Sequence, residues 1–547
     1  MLGLGSAPAA TPPQAGIATA HPLATRAGLE ILAQNGNAFD AAVAVTAMLA
    51  VVEPTGSGLG GGGFWLLHRA KDGFETLLDG RETAPQAAHR DMYLGTDGEV
   101  IKGLSIDGPL AAGIPGIPAG MVRLAEHYGR LSLARSLAPA IQQAREGFAV
   151  SGHYRRMATF RLAALRASPA AAALFLQDNE VPPEGHLIRQ PALADTLETI
   201  AQRGHDGFYR GSVAKKLVDG VRNAGGIWTL PDLASYRIIE REPIRARYRS
   251  PHGEMRITSA APPSSGGITL ATTLNILSGF NLNAQDSVTR KHLIIEAMRR
   301  AYRDRAVYLG DPDFTRIPAE RLLHPYYADG LRAAIRPDRA LPSDYLPGVE
   351  TGPKGRDTTH FSILDHAGNR VAATLTINYP FGSGFVAPGT GVLLNDEMDD
   401  FSARPGTPNV YGLVGGEANA IAPGKRPLSS MSPSFLQTER GVAVVGTPGG
   451  SRIISMLLLA ALDFAAGGDA RSMVGLPRFH HQYLPDVVHY ETAALSKDEV
   501  AGLELRGHTL REFTQGWGNM QAVVWDKKRT LVSAAADPRV EGLAATQ

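Results

Sequence analysis

The second half of the chain contains a series of short motifs that carry hydroxyl side chains, carboxylates and a glycine pair. Asp357-Thr358-Thr359 opens this series and Thr376-Ile377-Asn378 follows it. The later members are Glu397-Met398-Asp399-Asp400, Lys425-Arg426-Pro427-Leu428-Ser429-Ser430 and Thr447-Pro448-Gly449-Gly450. They provide a hydroxyl nucleophile, a second hydroxyl, acidic ligands, a serine pair and backbone N–H donors. This combination suits the opening of an amide and the binding of a small zwitterion.

Thr358 is the candidate nucleophile, and a threonine hydroxyl needs a base. Residues 341–357 carry three prolines, three glycines and no apolar periodicity, so we predict an exposed loop that ends at a strand. Cleavage of the Asp357–Thr358 bond would free an α-amine, with a reference pKa of about 7.7–8.0, to act as that base. The alternative is that Thr358-Thr359 only begins a strand, where β-branched residues are favoured.

Two other features would support this nucleophile. Thr376 lies where a predicted hairpin brings a second hydroxyl opposite Thr358, although an exposed strand threonine is the alternative. Gly449-Gly450-Ser451 precedes an apolar helix predicted at residues 452–465. N–H groups at a helix start suit a developing oxyanion, although a glycine-rich turn before a buried helix would look the same.

Three charged residues are candidates for holding a zwitterion. Arg81 can hold a carboxylate through two N–H groups. Glu397 and Asp400 lie three residues apart and offer acceptors to an ammonium group. A surface arginine and a pair of solvated acids are the alternatives.

The surrounding pattern predicts the elements that must position these residues. Apolar spacing predicts helices at residues 23–32, 38–52, 131–146 and 293–305. A strand is predicted at residues 64–67, and strand pairs at 359–364 with 371–376, 434–436 with 442–445, and 522–525 with 530–533. Antiparallel strands with covering helices indicate a layered α/β sandwich.

Composition excludes several classes of protein. The 547 residues carry 54 basic and 53 acidic side chains, which gives no reason to expect a nucleic-acid partner. The chain has no cysteine, so disulfides, thiolate metal sites and a cysteine nucleophile are excluded. No apolar run reaches the ~18 residues of a membrane span. The first 14 residues lack the basic and apolar regions of a signal peptide, so the export signal is either trimmed or absent.

Several common motifs fail. Gly58-Leu59-Gly60-Gly61-Gly62-Gly63 has dinucleotide-fingerprint spacing but follows a helix and precedes a strand, the reverse of the required order. Gly424-Lys425-Arg426 is not a P-loop, and no GxSxG is present. His480-His481 has no obvious third ligand, so we expect a structural role. We expect no metal and no cofactor.

The chain resembles the γ-glutamyltransferases (glutathione hydrolases), which belong to the N-terminal-nucleophile hydrolases. The motifs that carry the resemblance extend from Ala20-His21-Pro22 and Asp79-Gly80-Arg81-Glu82-Thr83-Ala84-Pro85 to Asp357-Thr358-Thr359-His360-Phe361-Ser362. They continue to Asn395-Asp396-Glu397-Met398-Asp399-Asp400, Pro448-Gly449-Gly450-Ser451-Arg452 and Asp537-Pro538-Arg539. Such long motifs in the right order make the similarity specific over nearly the whole chain.

The resemblance implies a four-layer αββα fold and a precursor that cuts itself before Thr358. Residues 1–15 would be a tail that is disordered or trimmed, 16–357 the large subunit and 358–547 the small subunit. Thr358 would attack the γ-glutamyl amide of glutathione or another γ-glutamyl compound, and water or an amino acid or peptide would accept the acyl group. By the same resemblance, Thr376 supports the nucleophile and Gly449 and Gly450 form the oxyanion hole.

The resemblance also assigns the substrate-binding residues. Arg81, Ser429 and Ser430 would hold the substrate α-carboxylate, and Asn378, Glu397 and Asp400 its α-amino group. Residues 405–423 resemble the lid loop of bacterial transpeptidases, with Tyr411 shielding the pocket. A periplasmic or secreted location is implied, and the missing export signal leaves the cytoplasm as the alternative.

Two alternatives remain open. An acylase of the same fold would act on glutaryl-type amides, such as β-lactam side chains, and would tolerate the loss of Asp400, which is present here. An uncleaved, inactive binding protein on the same scaffold is the other alternative.

Overall fold

The computed structural model of the protein describes residues 10–250, 252–346, 358–404, 406, 409, 413 and 415–547. Its strands are β1 Gly16–Thr19, β2 Gly62–Arg69, β3 Phe74–Gly80, β4 Phe148–Ala149, β5 Leu187–Ile188, β6 Ile239–Arg241, β7 Ile244–Ser250, β8 Gly253–Ser259, β9 Thr359–Leu364, β10 Arg370–Thr376, β11 Ser434–Gln437, β12 Gly441–Gly446, β13 Phe479–His480, β14 Val488–Glu491, β15 Leu510–Phe513, β16 Gln521–Asp526, β17 Leu531–Ala536 and β18 Leu543–Thr546.

The helices lie before, between and after these strands. They are α1 Pro22–Ala33, α2 Ala38–Val52, α3 Ile117–His127, α4 Leu133–Glu146, α5 Gly152–Phe160, α6 Leu162–Ala167, α7 Pro169–Phe175, α8 Pro191–Arg203, α9 Asp206–Tyr209, α10 Gly211–Asn223, α11 Leu230–Ser235, α12 Gly266–Leu277, α13 Ser287–Tyr308, α14 Ala319–Leu323, α15 Pro325–Ala333, α16 Arg452–Ala465, α17 Ala470–Gly475 and α18 Lys497–Leu505. Short 3-10 turns include Ser343–Tyr345 and Glu397–Asp400.

Two large antiparallel sheets form the centre of the fold. The first has the spatial order β18-β1-β9-β10-β2-β3-β6, and the second has the order β17-β16-β12-β11-β8-β7. Side chains alternate along β2: Phe64 and Leu66 pack between the sheets, while Trp65 and Leu67 pack against a helical layer that includes α1 to α4. Another layer, with α12, α13 and α16, covers the second sheet. The predicted αββα sandwich is confirmed.

Local signals explain the elements that the sequence predicts best. Helix α2 is buried at every position, and Asn37 and Asp40 form a capping box at its start. The hairpin of β9 and β10 turns at Asp365, whose Oδ1 accepts from Ala367 N and Asn369 N. One prediction is wrong in part: Ser343 lies in the predicted exposed loop but is buried, because its hydroxyl donates to Tyr483 O.

Each sheet contains strands from both sides of the Asp357–Thr358 bond. In the first sheet, β1 pairs with β18 on one side and with β9 on the other, and β10 pairs with β2. In the second, β8 pairs with β11. Breaking the 357–358 bond therefore leaves these ladders intact.

Among the residues that the structure describes, no helix is both long enough and apolar enough to cross a membrane.

Candidate active site

Thr358 lies directly before β9, at the same end of the first sheet as Thr376. The β9–β10 register pairs Thr359 with Leu375, so the register continued by one residue places Thr376 opposite Thr358. Thr358 is 8% exposed. It lines two cavities, a small one and a wide one, and so lies at their junction.

The small cavity gathers most of the residues that the sequence predicts for the site. Its volume is about 20 Å³, which is room for roughly one water molecule. We call it the head pocket; its lining is Arg81, Thr358, Thr376, Asn378, Glu397, Asp400, Leu413, Ser429, Ser430, Met431, Gly450 and Ile453. Of the other predicted residues, Gly449 lines the wide cavity, and Asp357 and Tyr411 lie outside the described residues.

Arg81 ion-pairs with both acids that the sequence assigns to the opposite clamp. Its Nη1 contacts Glu397 Oε2 and its Nη2 contacts Asp400 Oδ2. The 3-10 turn Glu397–Asp400 brings both carboxylates to the same side, which confirms that the two acids face the same way. The expected separate cationic and anionic clamps are thus in contact with each other, because buried opposite charges are stabilised by pairing.

The acids around Arg81 outnumber it. The third is Glu82, whose Oε2 lies 3.4 Å from Arg81 Nη1. Burial, opposed by the Arg81 charge and aided by that of Asp400, raises the pKa of Glu397 to about 8. Burial and then the Glu397 charge raise the pKa of Glu82 well above its ordinary value. Glu397 Oε1 is buried and accepts no hydrogen bond from the described residues. It is therefore available to an additional donor.

The serine pair is held from behind by residues of other elements. Ser430 Oγ accepts from Arg305 Nη2 at 3.1 Å, and Arg305 Nε donates to Ser265 Oγ at 2.9 Å. Ser429 O accepts from both the N–H and the hydroxyl of Ser265. Burial lowers the pKa of Arg305 to about 10, but at neutral pH it remains a cation beside the pocket. Sequence reasoning missed this role, although a charged residue in the apolar stripe of a helix was a usable signal.

Asn378 adopts a left-handed backbone conformation at the end of β10. Its φ is 73°, and its N–H donates to Thr376 Oγ1 at 2.7 Å. Its side-chain Nδ2 donates to Asp396 O at 3.0 Å. This turn brings the Thr376 hydroxyl and the Asn378 amide to the same wall of the head pocket.

The glycine pair lies between the two cavities, just before α16. Gly449 has φ 139° and Gly450 has φ 56°, a region that other residues rarely adopt. A Cβ atom on Gly449 would come within 2.7 Å of Met456 Cε. Gly450 lines the head pocket and Gly449 lines the wide cavity. Like Thr358, the pair therefore lies where the two cavities meet.

The wide cavity, of about 1160 Å³, extends from Thr358 on the side away from the head pocket. Its walls are cationic and aromatic, and they include His153, Arg156, Phe160, Tyr379, Arg452, His489, Arg511, Phe513, Trp517 and Arg539. The Arg452 guanidinium lies 5.0 Å from the ring centres of Phe513 and Trp517. Glu53 is the one carboxylate in the described lining, and it accepts from Thr359 Oγ1 at 2.6 Å.

Part of the predicted lid reaches the head pocket. Asn409 Nδ2 donates to Asp400 Oδ1 at 2.9 Å, and Leu413 lines the pocket. Asn409 and Leu413 also bond to each other through Asn409 N to Leu413 O and Leu413 N to Asn409 Oδ1. Residues of the 405–423 segment therefore contact one of the predicted substrate-binding acids.

The histidines near the site have structural partners. His360 lies two residues after Thr358, but burial lowers its pKa to about 3 and its ring bonds Thr374 and Ser362. It is too weakly basic to activate the threonine. His480 bonds Ser455 and Gln482, which fits the structural role expected for it. Within the described ranges, no group of three or more His, Asp or Glu side chains is arranged to hold a metal ion.

Comparisons with known proteins agree with this geometry. The family model described as gamma-glutamyltranspeptidase matches residues 24–547. The glutathione hydrolase proenzyme of Pseudomonas sp. (strain A14) is 45% identical over 90% of this chain and 85% of that protein. The glutathione hydrolase proenzyme of Escherichia coli (strain K12) is 40% identical over 96% of this chain and 90% of that protein.

A solved structure covers the whole chain. The cephalosporin acylase from Bacillus halodurans has a TM-score of 0.84 and 28% identity, over 100% of this chain and 99% of that one.

Proposed function

This chain belongs to the gamma-glutamyltranspeptidase family, and on that premise we propose that it is a self-cleaving threonine hydrolase and transferase acting on glutathione and other γ-glutamyl compounds. One observation carries the proposal: Thr358 lies between the charged head pocket and the wide cavity. A γ-glutamyl amide has the matching shape, since a zwitterionic head and a variable amine flank one scissile bond.

Cleavage before Thr358 supplies the base in the proposed mechanism. The freed α-amine takes the proton from Thr358 Oγ1 as that oxygen attacks the γ-carbonyl carbon. The N–H groups of Gly449 and Gly450 stabilise the oxyanion. The amine leaves with that proton, and an ester to Thr358 remains. Water then releases glutamate, or the amine of an amino acid or peptide takes the γ-glutamyl group.

The zwitterionic head of the substrate is selected because its two charges replace the ion pairs that Arg81 makes with Glu397 and Asp400. The substrate α-carboxylate replaces the acids on Arg81 and also contacts Ser429 and Ser430. The displaced Glu397 and Asp400, with Asn378, take the α-ammonium, for which Glu397 Oε1 is already an open acceptor. An acyl group without the ammonium leaves these acids buried and unpaired, which costs roughly 1–3 kcal/mol or more.

The wide cavity is the proposed place for the leaving amine and for the acceptor. Its guanidinium groups suit the carboxylate of an amino acid or peptide, and its aromatic walls suit apolar side chains. We also propose that the chain divides into residues 1–15, 16–357 and 358–547, and that Tyr411 shields the pocket. The proposed location is periplasmic or secreted, with the cytoplasm as the alternative.

Turnover of a chromogenic γ-glutamyl anilide, with and without a dipeptide acceptor, tests the function. We expect release of the anilide in both, faster with the acceptor. A glutaryl anilide, which lacks the α-amino group, tests the acylase alternative that the similarity to the Bacillus halodurans acylase raises. Turnover of the glutaryl compound alone would replace the γ-glutamyl proposal with the acylase. Failure of both would favour the inactive binding protein.

A further inference from the structure

A second charged cleft lies between the two sheets, at the end opposite Thr358. It is lined by Ala367, Gly368 and Arg370 of the β9–β10 turn, so the length of β9, roughly 20 Å, separates it from Thr358. Its volume is about 540 Å³. We call it the far cleft; its charged and aromatic lining is His68, Glu75, Arg245, Arg247, Arg256, Arg370, Trp525 and Lys527.

Five cations and one carboxylate line the far cleft in the described part of the chain. Arg247 of β7 lies directly opposite Arg256 of β8 in the strand register. Like charges at opposed positions of a ladder are unfavourable. Arg256 and Lys527 have no ion pair among the described residues, although Arg245 and Arg247 pair with acids at the rim. The excess of positive charge is therefore not neutralised by the residues that the structure describes.

Arg370 is the buried member of this group. Its side chain is 7% exposed, and its Nε has no hydrogen-bond partner among the described residues. Its nearest carboxylate oxygen, Glu75 Oε1, lies 3.7 Å from Nη2, and its guanidinium lies 5.1 Å from the Phe435 ring centre. Burying a guanidinium N–H without an acceptor is costly unless a ligand provides one.

Glu75, the single carboxylate of the described cleft lining, cannot satisfy the buried Arg370 guanidinium, because it also contacts two other side chains. Glu75 Oε1 lies 3.1 Å from His68 Nδ1, and Glu75 Oε2 lies 3.7 Å from Arg245 Nε. Lys527 Nζ lies 4.7 Å from the Trp525 ring centre. Burial, followed by the charges of Arg370 and Arg256, lowers the pKa of Lys527, so these three cations act on one another through the cleft.

We propose that the far cleft binds a small organic polyanion, held by Arg256, Arg370 and Lys527 through phosphate or carboxylate oxygens. The volume lies within the range of about 300–1000 Å³ typical of small-molecule pockets. A ligand that enters between the sheets reaches Arg370 Nε, while the rim arginines contact its outer anionic group. The apolar layer between the sheets, including Phe435 and Trp525, closes the inner end.

Titration calorimetry at low ionic strength tests this proposal, with inorganic pyrophosphate as the phosphate probe and citrate as the carboxylate probe. We expect saturable binding that the far-cleft variants below weaken, with an affinity that falls as salt is added. Binding of pyrophosphate alone identifies a phosphate ligand, and binding of citrate alone identifies a carboxylate ligand. No saturable binding of either probe would overturn the proposal.

The paired variant Arg256→Gln with Lys527→Gln removes two exposed cations and should weaken binding roughly tenfold or more. Arg249→Gln is the control, because Arg249 is an exposed arginine on β7, the strand that pairs with β8, and lies outside the cleft lining. Arg370→Gln, checked for folding by circular dichroism, should weaken binding as well. Equal affinities in the paired variant and in the Arg249 control would contradict the site.

Discussion

The Arg81 guanidinium contacts the Glu397 carboxylate, and both side chains are almost completely buried. These residues are 316 positions apart in the chain, and they meet in the lining of the head pocket. The proposed function requires the substrate to break this ion pair. Its α-carboxylate then pairs with Arg81 and its α-ammonium with Glu397. Both partners should therefore affect the binding of the head group.

Arg81→Lys should raise KM for a γ-glutamyl anilide about 10- to 100-fold, with a smaller effect on kcat. Lysine keeps the charge that compensates Glu82, Glu397 and Asp400 but cannot hold a carboxylate through two N–H groups. Steady-state kinetics measures the effect. Arg90→Lys is the control, since Arg90 is an exposed arginine paired with Glu417. An unchanged KM in the Arg81 variant would remove Arg81 from the head-group site.

The pKa of Glu397, raised by burial to about 8, predicts a pH dependence of head-group binding. Below that pH the carboxyl is mostly protonated, and above it the charged form attracts the substrate ammonium more strongly. Competitive inhibition by L-glutamate should therefore strengthen between about pH 7 and about pH 9. Glu397→Gln should flatten this slope, and an identical slope in the variant would assign the titration to another group.

The two subunits should stay together after cleavage without a covalent link. Strand β1 lies between β18 and β9 in the first sheet, and β8 pairs with β11 in the second, so both sheets contain strands from each fragment. Mature enzyme should elute from a size-exclusion column at the position of the Thr358→Ala precursor, and should give two bands only under denaturing conditions. Separation into two species in native buffer would mean that the strand order is wrong.

Buried histidines should make the fold sensitive to acid. Burial lowers the pKa of His360 to about 3 and that of His481 to about 4, from an ordinary value of 6.5. At a pH between the ordinary pKa of 6.5 and the lowered pKa, the unfolded chain binds a proton at each histidine that the folded chain does not. The free energy of unfolding therefore decreases as pH falls below about 6.5. Each such histidine costs about 1.4 kcal/mol per pH unit over this range.

Thermal unfolding from about pH 7 to about pH 5 measures this loss. His360→Asn should reduce the slope of melting temperature against pH, whatever its effect on the absolute value. His366→Asn is the control, because His366 is an exposed histidine in the β9–β10 turn. A slope that is the same in both variants would exclude His360 as a source of the acid sensitivity.

Local patterns predicted much of the fold. The bounds of α2 follow from apolar content and a capping box, and those of α16 from apolar content after a glycine pair. The bounds of β9 follow from a run with β-branched residues between a loop and a turn. The stacking of two sheets came from the family resemblance, because local periodicity does not state which strands pair across the chain. The pairing of strands from the two fragments within one sheet was likewise not readable from any single segment.

Most residues of the head pocket were predicted to lie together, but their contacts were not predicted. Residue types and motifs identified Arg81 and Glu397, but they assigned the two to separate clamps. Arg305 and Glu53 were missed as site neighbours because their roles depend on contacts with residues far away in the chain, Ser430 and Thr359. Charge pairing of this kind is set by tertiary packing, which a motif does not encode.

Identification of the first residue of the small fragment tests the central claim most directly. Chemical sequencing and mass measurement of fully active enzyme should find a 190-residue fragment that begins at Thr358 with a free α-amine, since residues 358–547 follow the cleaved bond. Thr358→Ala should yield neither fragment nor turnover. Full activity in a preparation whose 357–358 peptide bond is intact would contradict the account.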